Sequence, residues 1–213
     1  MEKENTIIKG EILLGIIFAL ELYALPVQFY LLLKGPGFTF FSAAVRFFSF
    51  FTITTNTIVF FCTAFLLFGG RCKLNAFFKK CTTITAVTVY ILIVGMVFNL
   101  LLRHIVDLKG HHLIVSEIFH SVVPVLFFSY WLFFVSPQRI SFKVILGWLV
   151  YPILYIVYTL FHGITTNFYP YPFIDATKLG FKTALVNGLF VLIAFVVLSM
   201  ILISISKIRT KML

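Results

Sequence analysis

Thr52 and His120 are the residues of this chain best suited to covalent chemistry. A threonine hydroxyl is a weak nucleophile until a base takes its proton, and a neutral imidazole within hydrogen-bond reach can do that. Thr52 opens a polar run, Phe51-Thr52-Ile53-Thr54-Thr55-Asn56-Thr57, with four threonines and an amide in six positions. On a helix Thr52, Thr55 and Asn56 share one face, since they stand three and four residues apart. His120 is followed by Pro124 and preceded by Glu117, a spacing that lets the carboxylate orient the imidazole or raise its basicity. Asn56 and Asn99 offer amide N–H groups to an oxyanion. Tyr158 and His162 end a helical stripe that starts at Tyr151 and Tyr155, and Glu21 is a lone acid inside an apolar stretch. Each of these has a plainer reading. Membrane threonines bond back to a carbonyl one turn earlier, a buried histidine is often structural, and an aromatic stripe is often a packed seam.

The elements that hold these residues follow from composition. The chain has 213 residues, 61% hydrophobic and only 11% charged, with a mean hydropathy of +1.08. Such a chain is solvated by lipid rather than water. A transmembrane helix needs about 20 mostly apolar residues. Six runs qualify, near 12–33, 47–68, 83–102, 113–135, 142–161 and 183–206. Alternating strands are absent, so the expected fold is all-α, a polytopic bundle of six transmembrane helices forming a single domain over residues 1–213. The first run continues past Pro26 without a small-residue cleavage site and is read as a span, not a removable signal.

Orientation comes from the basic residues of the short connections. With the N-terminus inside, eleven of the 17 Lys and Arg, Lys3 and Lys79 among them, lie on inner segments. The other six are Lys34, Arg46, Arg103, Lys109, Lys178 and Lys182 on the outer loops. Both termini are therefore expected in the cytoplasm. The net charge of +10 calls for anionic membrane lipid as a partner, not nucleic acid. This arrangement carries Thr52, Asn56, Asn99, Glu117, His120, Tyr158 and His162 to the outer half of the bundle and leaves the inner half comparatively bare. An ionisable group at membrane depth is a site hypothesis in its own right. Cys62, Cys72 and Cys81 form neither a disulfide framework nor a CxxC metal site. The segment Tyr169-Pro170-Tyr171-Pro172-Phe173-Ile174-Asp175, stiffened by its prolines, is expected to be an ordered outer cap or an interfacial aromatic belt.

Phe51-Thr52 through Asn56, His120-Ser121-Val122-Val123-Pro124, His162-Gly163 and the Tyr169 to Asp175 segment together resemble a bacterial family of six-span membrane proteins. That family is related to the superfamily of the androgen-induced gene product and the androgen-dependent TFPI-regulating protein. Its eukaryotic members are membrane hydrolases of fatty acid esters of hydroxy fatty acids that use an intramembrane Thr and His. The resemblance implies Thr52 as nucleophile, His120 as base, a lipid-like ester as substrate and a bacterial plasma membrane as the location. The eukaryotic pattern has one more residue between His and Pro, and an acid or amide where this chain has Thr55.

Other function classes remain open from the residues alone. His120 and Glu117, with some of His104, His111, His112 and His162, could bind zinc in a metal-dependent hydrolase, although no HExxH motif is present. A small transporter lined by Thr and Tyr, and a non-catalytic lipid-binding or scaffold protein, are the remaining readings. The Thr/His reading requires no cofactor and no metal. The oligomeric state is left open.

Overall fold

The computed structural model describes residues 2–212, with side chains from Asn5 onward. Met1, Leu213 and the Lys3 side chain of the charge count lie outside the described residues. The described chain is 81% helical without strands. Six helical stretches are long and apolar enough to cross a membrane: Asn5–Leu33, Phe51–Phe68, Cys81–Leu102, His111–Phe134, Val144–Thr166 and Phe181–Met212. Many large apolar side chains on them point away from protein, for example Phe68, Leu146, Phe161 and Phe190. A water-soluble protein does not leave such a surface bare, and the chain is a multi-pass helical membrane protein.

The chain divides into two compact units, Met1–Pro137 and Gln138–Leu213. In the first, α1 (Glu2–Leu33), α3 (Phe51–Phe68), α5 (Cys81–Val97) and α7 (Val123–Phe134) form a closed ring. α1 packs on α3 and α7, and α5 packs on the same two. The span containing α5 is the most enclosed, while that containing α1 is largely exposed. The second span starts at Phe51, not at residue 47. A separate short helix, α2 (Phe40–Phe48), precedes it, started by a reciprocal Thr39/Ser42 cap and stopped by extended backbone at Phe50. The far half of this ring is not bare, because Trp131 Nε1 donates to Thr85 Oγ1 at 2.9 Å and Thr85 donates to the Cys81 carbonyl at 2.7 Å. α4 (Lys73–Phe78) links α3 to α5.

Two short stretches of the first unit are wound as π-helix. Phe98–Leu102 continues α5, and Ile118–Val122 joins α6 (His111–Glu117) to α7. Their bonds reach one residue further than in an α-helix, with Arg103 N on the Phe98 carbonyl at 2.8 Å and Val123 N on that of Ile118. The cause of the second is Pro124. Proline has no N–H for the carbonyl four residues back, which here is that of His120, so the ladder slips there.

The second unit holds α8 (Val144–Trp148), α9 (Val150–Thr166), α10 (Ala176–Leu179) and α11 (Phe181–Met212). The break at Leu149 has the same origin, since Pro152 cannot donate to the Trp148 carbonyl. The Tyr169 to Asp175 segment is ordered within this unit. Its Tyr169 ring lies against Gly163, where a Cβ would collide with it. Ile174 is buried, the Phe173 carbonyl accepts from Asn187 Nδ2 at 2.8 Å, and Asp175 caps α10 through the Thr177 amide. The Thr177 hydroxyl and amide bonds hold the Asp175 carboxyl below its ordinary range.

Candidate active site

Helix α3 carries Thr52 at its second position, almost fully buried, and the π-helical stretch 118–122 carries His120. Thr52 Oγ1 and His120 Nε2 lie 3.3 Å apart. The other ring nitrogen fixes what that contact can be. His120 Nδ1 is 2.8 Å from the Ser116 carbonyl, which can only accept, so Nδ1 carries the proton. In the neutral ring Nε2 then bears a lone pair and faces the Thr52 hydroxyl as an acceptor. The Ser116 hydroxyl adds a second contact to Nδ1 at 3.2 Å. Phe98 stacks on the imidazole with centroids 3.9 Å apart and planes 18° from parallel. Ring plane and tautomer are both set.

Glu117 does not orient the imidazole, as its spacing suggested. Its carboxylate binds the Arg103 guanidinium in bidentate fashion at 2.5 and 2.8 Å and accepts from Ser121 Oγ at 2.7 Å. The slip of the helix at 118–122 turns His120 out of the α-helical register in which Glu117 would share its face, and Ser116 takes the role. The pair with Glu117 raises the Arg103 guanidinium further above its ordinary range. Arg103 also donates through Nε to Asn99 Oδ1 at 2.8 Å, and its guanidinium lies over Phe98, 5.3 Å from the ring centroid.

Asn99 serves structure rather than an oxyanion. Its Nδ2 donates to the Gly95 carbonyl at 2.8 Å and to the His120 carbonyl at 2.9 Å, so both amide hydrogens are committed. The second bond fills the carbonyl that Pro124 leaves without its usual donor. Gly95 permits the approach, for a Cβ there would stand 3.0 Å from the His120 oxygen and 3.2 Å from Pro124 Cβ. Asn56 is different. It is fully buried and its Nδ2 donates to the Thr52 carbonyl at 2.8 Å, which leaves one N–H free.

Tyr158 and His162 belong to the second unit, where their rings stack on successive turns of α9 at 5.5 Å. The His162 ring also meets Phe168 edge-on, with centroids 6.2 Å apart. Glu21, in the middle of α1, is completely buried. Among the described residues no group of three or more His, Cys, Asp or Glu is gathered as a metal site. Sequence reasoning overlooked Ser116, Phe98, Arg103 and Ser121. Ser116 was detectable as the residue one α-helical turn before His120, and Arg103 with Glu117 as opposite charges at neighbouring span ends. No family model, no curated protein and no solved structure matches the chain.

Proposed function

We propose that this membrane protein is an intramembrane esterase acting on lipid-like fatty acid esters, with Thr52 as nucleophile and His120 as general base. The observation that carries the reading is the Thr52 to His120 contact, with the far ring nitrogen tied to a backbone carbonyl. A nucleophile, a base within reach of it and a group orienting that base are the parts of a hydrolytic triad, with Ser116 standing where other enzymes use a carboxylate. The motif resemblance to the six-span Thr/His hydrolases points to the same pair and to a bacterial plasma membrane.

In this mechanism Thr52 Oγ1 attacks the ester carbonyl carbon while its proton passes to His120 Nε2. The N–H of Asn56 that is not given to the Thr52 carbonyl, one helical turn after the nucleophile, serves as a side-chain donor to the oxyanion. The tetrahedral intermediate collapses, His120 returns the proton to the departing alkoxide, and an acyl-threonine remains. Water, deprotonated by the same imidazole, then releases the carboxylic acid and restores Thr52. Acid quench of a single turnover with a long-chain ester, followed by peptide mass spectrometry, should find the acyl group on Thr52. Acyl mass on another residue, or on none while ester is consumed, refutes the assignment.

Ser116→Ala should lower turnover by about tenfold or less, because it removes only the hydroxyl contact and keeps the carbonyl that sets the tautomer. A loss as large as that of His120→Ala would show that the hydroxyl is the true orienting group.

The basic-residue count orients the bundle with both termini in the cytoplasm. Single cysteines at Lys79 and Tyr171, in a background without Cys62, Cys72 and Cys81, should label from opposite faces of sealed vesicles. Labelling of both from one face overturns this topology.

A further inference from the structure

The α1–α3 seam of the first unit contains a chemical deficit that the esterase reading does not resolve. Glu21 and Asn56 are both completely buried. Neither oxygen of Glu21 has a hydrogen-bond partner, and neither does Asn56 Oδ1. All three atoms are acceptors if Glu21 is ionised, so nothing on the seam donates to them. Buried polar atoms are almost always paired, and a bare carboxylate at this depth is among the costliest groups a membrane protein can hold.

Helix geometry puts the two residues on the same seam. Phe18 of α1 stacks on Phe60 of α3 with centroids 5.1 Å apart. Glu21 follows Phe18 by three residues and Asn56 precedes Phe60 by four, so each lies on the face of its helix that carries the stacked ring. α3 runs antiparallel to α1, so both displacements, about 4.5 and 6 Å, lead in the same direction along the bundle. The titratable or cationic side chains on the helices packed against α1 are Arg46, Cys62, His111, His112, Glu117, His120 and Tyr130. None of them hydrogen-bonds to Glu21. The deficit is therefore not met by a salt bridge.

We propose that Glu21 and Asn56 form an intramembrane proton-binding site, in which Glu21 is a neutral carboxylic acid that donates its O–H to Asn56 Oδ1. One proton removes the buried charge, turns an orphan acceptor into a donor and fills a second orphan acceptor. The other end of Asn56 holds the Thr52 carbonyl at 2.8 Å, so the site is joined to the first turn of α3 through one side chain. The chemistry is that of a monovalent cation held by buried oxygens, and the proton is the member of that class which also provides hydrogen bonding.

The test is independent of any esterase activity. Dicyclohexylcarbodiimide adds to a protonated carboxylic acid in apolar surroundings, the O–H adding across a C=N bond. The adduct rearranges to a stable N-acylurea with no leaving group. In the full chain in lipid vesicles at neutral pH, peptide mass spectrometry should map the adduct to Glu21. The extent should be equal in sodium and choline chloride, and signal at that peptide should fall to background in Glu21→Gln. Infrared difference spectra of wild type minus Glu21→Gln should contain the carbonyl stretch of a protonated acid, shifted upward in frequency by Asn56→Leu. Wild-type labelling and the wild-type spectrum read the site even where a variant folds poorly. Absence of adduct and of a protonated-acid band in the wild type overturns the proposal. Protection by sodium reassigns the site to that ion, and a band unmoved by Asn56→Leu in folded protein breaks the pairing.

Discussion

Thr52→Ala and His120→Ala should each lower hydrolysis of a lipophilic ester by about a thousandfold or more, while the protein keeps its helix content and thermal transition. The size follows from the geometry. The first variant has lost the nucleophile, and the second has lost the imidazole whose Nε2 lies 3.3 Å from the Thr52 hydroxyl and takes its proton. Because the two act as one unit, the double variant should be scarcely slower than either single one. Thr52→Ser should retain part of the activity, since it preserves the hydroxyl and its reach to Nε2. A fluorophosphonate probe that labels the wild type at Thr52 should fail on Thr52→Ala. Turnover that survives Thr52→Ala but stops on chelation and returns with zinc would replace this mechanism by a metal-dependent one. Absence of turnover across a broad lipid ester panel would leave a lipid-binding or scaffold protein. Removing either side chain leaves few buried polar atoms unpaired, so folding is not expected to obscure the kinetics.

The fold was legible because lipid imposes one simple requirement, a helix of about 20 apolar residues, and each run is read locally. The third and fourth spans begin and end within two residues of their expected positions, the second starts four residues later, the fifth ends five residues further on, and the first and last helices extend at the cytoplasmic ends proposed for them. The Thr52 to His120 meeting was legible for a related reason, since both stand near the start of helices running in the same direction. What escaped was the local winding. Spacing rules assume an α-helix, and at 118–122 Pro124 removes a donor and changes the register. Glu117 then turns from His120 to Arg103, and Ser116, apparently an ordinary membrane serine, supplies the orienting carbonyl. Asn99 was misread for the same reason. Its amide looked free until the vacant His120 carbonyl was known.

That vacant carbonyl yields the second large effect. Asn99→Ala removes the donor that replaces the one Pro124 lacks, leaves a buried carbonyl unpaired and frees the guanidinium of Arg103 from its Nε bond. Turnover should fall about a hundredfold, because the π-helical stretch that aims the imidazole loses its tether to α5 and small displacements of a reacting group are costly. Stability should fall by about 1–3 kcal/mol, the ordinary cost of an orphaned buried acceptor. The cause can be isolated with Pro124→Ala, which restores an N–H four residues after His120. In that background the chain can satisfy the His120 carbonyl by itself, so Asn99→Ala should cost much less stability than it does beside proline. The difference between the two costs is the coupling energy of a double-mutant cycle, read from denaturant or thermal unfolding in detergent. Turnover should not recover in the double variant, since an α-helical register at 120 points the imidazole away from Thr52. Equal stability costs for Asn99→Ala in both backgrounds would show that Asn99 acts through Gly95 or Arg103 alone, and that the proline-made gap does not govern the position of His120.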